Sequence, residues 1–153
     1  MISSWVDRGV DREGGRILTM WSNKLFKCNR IVEGKGFIMT KGEYKREGNN
    51  QLVGVAIINV YSSCVTIEKY TLWEEITRII ASDKNLGWCL LGDFNAVRNI
   101  SERKCVGNGY VNRNEIERFN LFIIGRRFTW YRPNGTAKSR IDRVLVSDTW
   151  LAY

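Results

Sequence analysis

The sequence predicts a layered fold of mixed α and β structure, either α/β or α+β, in a single domain. Three observations carry that expectation. Strand-like runs punctuated by glycine-bearing turns dominate the chain. Helical periodicities interrupt them singly rather than in blocks. No repeat, low-complexity tract or linker divides the 153 residues, a length that suits one domain with a genuine core.

Each element has its own local reason. Arg16 to Trp21 is short and apolar after Gly14-Gly15 and reads as a strand. Gly36 to Tyr44 alternates, with Phe37, Met39 and Lys41 on one side and Ile38 and Thr40 on the other. Glu47 to Asn50 then makes a polar turn through Gly48. Leu52 to Tyr61 is a nearly continuous β-branched run, the pattern of a strand covered on both faces. A helix follows from Thr66 to Ser82, where Tyr70, Trp73, Ile76, Ile79 and Ile80 recur at three or four residues. Asn85-Leu86-Gly87 ends it, and Trp88 to Leu91 returns as a buried strand. A second helix, Asn112 to Ile123, carries Ile116, Phe119, Phe122 and Ile123 on one face and stops at Gly125. Phe128 to Tyr131 and Arg140 to Val146 read as strands around a turn at Pro133-Asn134-Gly135.

Hydrophobic residues make up 44% and charged residues 26%, so a globally disordered chain is not expected. The formal charge is +8 and is uneven: Arg98 to Arg143 holds eleven Lys and Arg against four Asp and Glu, nearly all of the excess. Such a segment suits a phosphate-binding face, and equally an Arg-rich solvated surface. Cys28, Cys64, Cys89 and Cys105 form no Cys-x-x-Cys pair, so zinc-ligand spacing is absent. Cys64 and Cys89 adjoin apolar runs, where a reduced, buried thiol is expected. The N-terminus shows no secretory pattern and no run reaches membrane-spanning length, so an intracellular protein, nuclear or cytoplasmic, is expected. The sequence contains no histidine. That excludes Ser-His-Asp and Cys-His catalysis and the His-x-x-x-His zinc hydrolases in this chain, and leaves hydrolysis to carboxylates, amides, tyrosine and a bound cation.

Four places are chemically pointed. In Leu90-Leu91-Gly92-Asp93-Phe94-Asn95 a buried strand ends in glycine, and Asp93 and Asn95 follow two apart. If the segment stays extended, both side chains point the same way, a carboxylate for a hard cation or a water and an amide for a phosphate oxygen. An Asx turn closing the strand is the plainer alternative. In Ser139-Arg140-Ile141-Asp142-Arg143, Asp142 stands between two arginines, with ion pairing to them as the alternative to a site role. Tyr61 ends the long strand at Asn59-Val60-Tyr61, where it offers a hydroxyl to a phosphate or simply closes the core edge. The run Arg126-Arg127-Phe128-Thr129-Trp130-Tyr131-Arg132 suits phosphates and bases, or an amphipathic strand with solvated arginines.

The order of these pieces resembles one family. Gly92-Asp93-Phe94-Asn95-Ala96-Val97 with Ser101-Glu102-Arg103-Lys104 is similar to the endonuclease domain of plant LINE-type retrotransposons, in the endonuclease/exonuclease/phosphatase superfamily. So are Gly125-Arg126-Arg127-Phe128-Thr129-Trp130-Tyr131 with Asn134-Gly135-Thr136, and Ser139-Arg140-Ile141-Asp142-Arg143. Gly14-Gly15-Arg16 before Trp21, Asn59-Val60-Tyr61 and Leu72-Trp73 also fit. The resemblance implies a DNase I-like two-sheet sandwich flanked by helices, cutting phosphodiesters with Mg²⁺ or Mn²⁺. It implies that Asp93 activates water, Asn95 stabilises the transition state, Tyr61 contacts phosphate, and Asp142 orients a histidine. Thr129 and Trp130 fall on the family's DNA-contacting strand. Apart from the resemblance, Arg126, Arg127, Arg132, Lys138 and Arg140 are expected on phosphates, with Ser139 among the nucleic-acid-binding residues. DNA is the expected partner, with RNA as the alternative.

Against that pattern the chain is expected to be an incomplete sandwich. It lacks N-terminal strands bearing an asparagine and the metal-binding glutamate, a connection between Ile123 and Gly125, and a C-terminal strand bearing the histidine. The expectation is an impaired nuclease that still binds nucleic acid. A basic binding module without activity, a phosphatase for a smaller ester, and a transposon-derived fragment without selected function are the other readings.

Overall fold

A computed structural model describes residues 4–10, 15–46, 48, 50–102, 112–124, 128–129 and 142–153. The first two strands, β1 (Ser4–Val10) and β2 (Gly15–Trp21), pair antiparallel as a two-stranded sheet. The remaining strands are β3 (Phe26–Gly34), β4 (Phe37–Lys45), β5 (Leu52–Tyr61), β6 (Gly87–Asp93), β7 (Phe128–Thr129) and β8 (Asp142–Ser147). They form a six-stranded sheet in the order β3-β4-β5-β6-β8-β7. Helix α1 (Thr66–Ser82) crosses between β5 and β6, which therefore run parallel, and every other pairing is antiparallel. Helix α2 (Arg113–Ile124) follows a 3-10 turn (Ile100–Glu102), and a one-turn α3 (Asp148–Leu151) comes after β8.

The alternation in β5 sets the layers. Ala56, Ile58 and Val60 join Phe37 and Met39 of β4 beneath α1 and α2, in a core completed by Trp73, Ile76, Phe94 and Phe119. Each large apolar side chain fully buried there contributes roughly 1.5–3 kcal/mol. Val53 and Val55, on the opposite face, pack with Phe26, Trp21, Tyr44, Trp150 and Tyr153. There β2 lies over the sheet, and the Asn59 amide donates to the Leu18 carbonyl at 3.0 Å and the Thr19 hydroxyl at 3.2 Å. The architecture is thus a layered sandwich: helices on one face of a six-stranded sheet, and on the other a second sheet of two strands among the described residues.

Local sequence accounts for the element ends. Gly36 takes φ +84 in the β3–β4 hairpin, and a β-carbon there would lie 2.9 Å from the Tyr61 carbonyl oxygen. Asn112 caps α2 by accepting from Glu115 N–H at 3.2 Å, so the helix begins one residue later than the apolar pattern suggests.

Several expectations need correction. The β4 strand begins at Phe37 and runs to Lys45, because Gly36 belongs to the turn. β6 starts at Gly87 and extends to Asp93, and β8 extends to Ser147. Strands β1 and β3 and helix α3 were not anticipated at all. Cys64 is exposed, because it falls in the turn after β5 rather than in the strand; Cys89 is buried, which pushes its thiol up to about 11. Gly125, the turn at Pro133-Asn134-Gly135, Cys105, and the strand positions Trp130, Tyr131, Arg140 and Ile141 lie outside the described residues.

Candidate active site

Three of the four residues expected to carry chemistry form one row. Tyr61 at the end of β5 pairs with Asp93 at the end of the parallel β6, and Asp93 pairs with Asp142 at the start of β8. Side chains at paired positions share a face, and adjacent strands lie roughly 4.8 Å apart. Tyr61, Asp93 and Asp142 therefore stand side by side at the carboxyl ends of the two parallel strands, where open α/β sheets place their ligands. Tyr61 and Asp142 are exposed and Asp93 is half-buried.

The glycine before Asp93 has a steric cause. Gly92 takes φ +124, and a β-carbon there would strike the Val60 carbonyl oxygen. Only glycine lets β6 run this close to β5 in that conformation.

Asn95 arrives by a different route from the one the spacing suggested. Its backbone is left-handed, φ +46, so the chain does not stay extended past Asp93. Instead Asn95 N–H donates to Asp93 Oδ1 at 2.8 Å, which is an Asx turn. The Asn95 amide then donates to the Ser62 carbonyl at 2.6 Å, and Ser62 N–H donates to the Asp93 carbonyl at 2.8 Å. The plain turn and the clustering thus coexist: the turn ties the ends of β5 and β6 together and still leaves Asn95 one further amide N–H.

Burial, the larger cause, and the neighbouring Asp142 charge raise the Asp93 carboxyl above its ordinary value, against the Asn95 hydrogen bond and the Lys69 charge. A like-charged pair of this kind is relieved by a proton or by a cation. The two carboxylates are hard oxygen donors of the type Mg²⁺ takes alongside water, so they fit such an ion as a two-carboxylate, water-rich site. Among the described residues no group of three or more His, Cys, Asp or Glu comes together.

Asp142 is not paired with its neighbour Arg143. Alternation along β8 sends Arg143 to the opposite face, where it is buried and donates to Glu102 Oε2 at 2.6 Å and to the Ala96 carbonyl at 3.4 Å. Glu102 also accepts from Arg98 N–H at 2.7 Å. Arg143 thus holds the segment after Asn95 to the sheet, and Asp142 remains facing Asp93.

Of the residues expected to contact nucleic acid, Thr129 lies on β7, paired with Val146 of β8. Arg126, Arg127, Trp130, Arg132, Lys138, Ser139 and Arg140 lie outside the described residues. Two residues around the turn were not anticipated. Lys69 is buried on α1, donating to Glu115 Oε1 of α2 at 2.7 Å and to the Asn95 carbonyl at 2.9 Å. A signal for it existed: Lys69 stands four residues before Trp73, on the apolar stripe.

Fold and site together define a layered sandwich with a carboxylate pair, a tyrosine and an asparagine at its strand ends. No protein-family model matches the sequence, and no curated protein matches it. Solved structures do. An endonuclease/exonuclease/phosphatase family protein from Bacteroides thetaiotaomicron superposes with a TM-score of 0.61 at 13% identity, covering 95% of this chain and 60% of that one. A 3′ phosphatase from Neisseria, solved with a product DNA hairpin, gives 0.59 at 16% identity, covering 97% and 68%. The mannosyl-6-phosphatase of Bacteroides thetaiotaomicron gives 0.56 at 17%, covering 95% and 62%. The chain has the endonuclease/exonuclease/phosphatase, or DNase I-like, fold. It spans about three-fifths of the length of the first of these structures.

Proposed function

We propose that this chain is a phosphoesterase-type domain directed at nucleic-acid phosphodiesters, of the DNA-nicking LINE endonuclease kind, with cleavage impaired and binding retained. The observation that carries it is the Tyr61-Asp93-Asp142 row on three adjacent strands, with Asn95 folded onto Asp93. The fold it shares with phosphatases of sugar and DNA esters supports the same reading.

In this site Asp93 Oδ1 is held by the turn, and its other oxygen is left to take a proton from water. In the absence of a bound cation, burial and the Asp142 charge make that carboxylate a better proton acceptor than an ordinary one. The free N–H of Asn95 and the Tyr61 hydroxyl donate to phosphoryl oxygens as charge develops there. Asp93 and Asp142 would hold a divalent cation, Mg²⁺ or Mn²⁺, which supplies charge neutralisation at the phosphate. Cleavage is impaired because the chain has no histidine to act as acid and no third carboxylate in the described cluster. Losing one member of a catalytic unit commonly costs orders of magnitude in rate.

A basic binding module without chemistry is the second reading, favoured by the concentration of positive charge from Arg98 to Arg143. Supercoiled plasmid with Mg²⁺ or Mn²⁺, run beside Asp93→Ala, separates the two. The expected result is slow nicking by the parent and none by the variant, with binding equal in both. Binding should fall about a hundredfold between 50 and 200 mM salt if about four phosphates are contacted. Robust nicking would overturn the impairment, nicking by neither would leave the binding module, and no binding at low salt would overturn both.

A further inference from the structure

We infer that Lys69 is a positioning residue for the Asp93–Asn95 turn, acting through the Asn95 carbonyl. The role depends on the phosphoesterase reading only for its consequence in cleavage. Three tethers hold Asn95 in its left-handed conformation, which asparagine adopts more readily than other non-glycine residues when local hydrogen bonds support it. Its N–H is bound to Asp93 Oδ1, its side-chain amide to the Ser62 carbonyl, and its own carbonyl to Lys69 Nζ at 2.9 Å. The first two come from the strand ends themselves. Only the third comes from a helix.

Lys69 is itself fixed. Its ammonium lies 2.7 Å from Glu115 Oε1, with the Lys69 side chain 5% and the Glu115 side chain 14% exposed. The other Glu115 oxygen accepts from the Thr66 hydroxyl at 3.1 Å. α1, α2 and the turn therefore meet at one buried ammonium. A buried ion pair is a weak way to glue two helices, since apolar residues of similar volume do as well or better. What an apolar pair lacks is a donor for the Asn95 carbonyl, and that donor is what distinguishes positioning from mere packing.

Lys69→Met alone strands Glu115 as a buried, unpaired carboxylate and endangers the fold. The informative variant is therefore Lys69→Met with Glu115→Leu, compared with Lys69→Arg and with the parent by NMR and amide hydrogen exchange. The double variant should melt close to the parent, with core amides such as Ile76 and Phe119 unchanged. Its Asn95 N–H should exchange at least about tenfold faster, as expected for loss of one charge-assisted hydrogen bond, and its Asn95 side-chain amide resonances should shift. Lys69→Arg, which keeps a charged donor, should restore Asn95 protection. A folded double variant with Asn95 exchange unchanged would overturn the role. These readings need no nucleic acid, so a parent that does not cleave overturns the phosphoesterase reading and leaves Lys69 judged on its own.

Discussion

At the scale of single residues, Asp93 shows what it costs to bury one carboxylate beside another. Its carboxyl is raised by burial and by Asp142, so the folded chain binds a proton there more tightly than the unfolded chain does. The sign follows. The native state is penalised wherever the unfolded carboxyl is ionised, and the penalty fades as pH falls into the ordinary carboxylate range near 3.8. Asp93→Asn removes the charge, keeps an oxygen to accept from Asn95 N–H, and should stabilise the chain at pH 7. The gain should be at most about 1 kcal/mol, because water screens a half-exposed group. Thermal melts across pH check it: the difference should be largest at neutral pH and vanish below about pH 4. A neutral-pH loss of stability would mean that Asp93 is held by partners favouring its charge. Glu102 is the contrasting case. Burial raises its carboxyl, but the Arg143 guanidinium and the Arg98 and Asn99 backbone together hold it below the usual range. One carboxylate is left to take a proton or a cation, and the other is locked as a strut by its partners.

At the scale of elements, legibility followed the strength of each local pattern. The bounds of β5 and α1 matched the sequence reading because a β-branched run and a three-four stripe are strong signals. β1 and β3 escaped because Asp7, Arg8, Lys27, Arg30 and Glu33 break the apolar alternation, and β3 fully buries only Phe26. Of the candidate site, Asp93, Tyr61 and Asp142 could be picked out through motif order, whereas their alignment depends on strand register, which no local window contains. Asn95's turn was legible only as the plainer of two options. Lys69 and Glu115 meet across 46 positions, so their contact is a product of tertiary packing. α2 gives the sharpest element-level expectation. Phe119 is fully buried and its ring lies 5.1 Å from that of Trp73 and 5.8 Å from that of Phe94. Phe119→Ala should cost about 3–5 kcal/mol, read as a lower urea midpoint with an unchanged slope. A loss under about 1 kcal/mol would mean that α2 is not docked as described.

At the scale of the molecule, the two faces of the large sheet are unequally served. One lies under α1 and α2 and holds the principal core. The other is covered by β2 and by Trp150 and Tyr153 near the C-terminal turn, and it keeps a groove of about 620 Å³ lined by Trp21, Phe26, Tyr44, Val55 and Ile57. Aromatic and β-branched walls around a space of that size suit a planar apolar probe. The native chain should therefore enhance the fluorescence of a hydrophobic dye while still melting cooperatively, which separates an open groove from a molten state that also binds dye. Ile57→Glu places a charge in the groove and should abolish the signal without disturbing the Tyr61-Asp93-Asp142 row at the far end of the strands. Absence of dye binding by the folded parent would mean that this face is covered in solution. Sedimentation would then report a species heavier than one chain, because an aromatic sheet face has most to gain from burial against another surface.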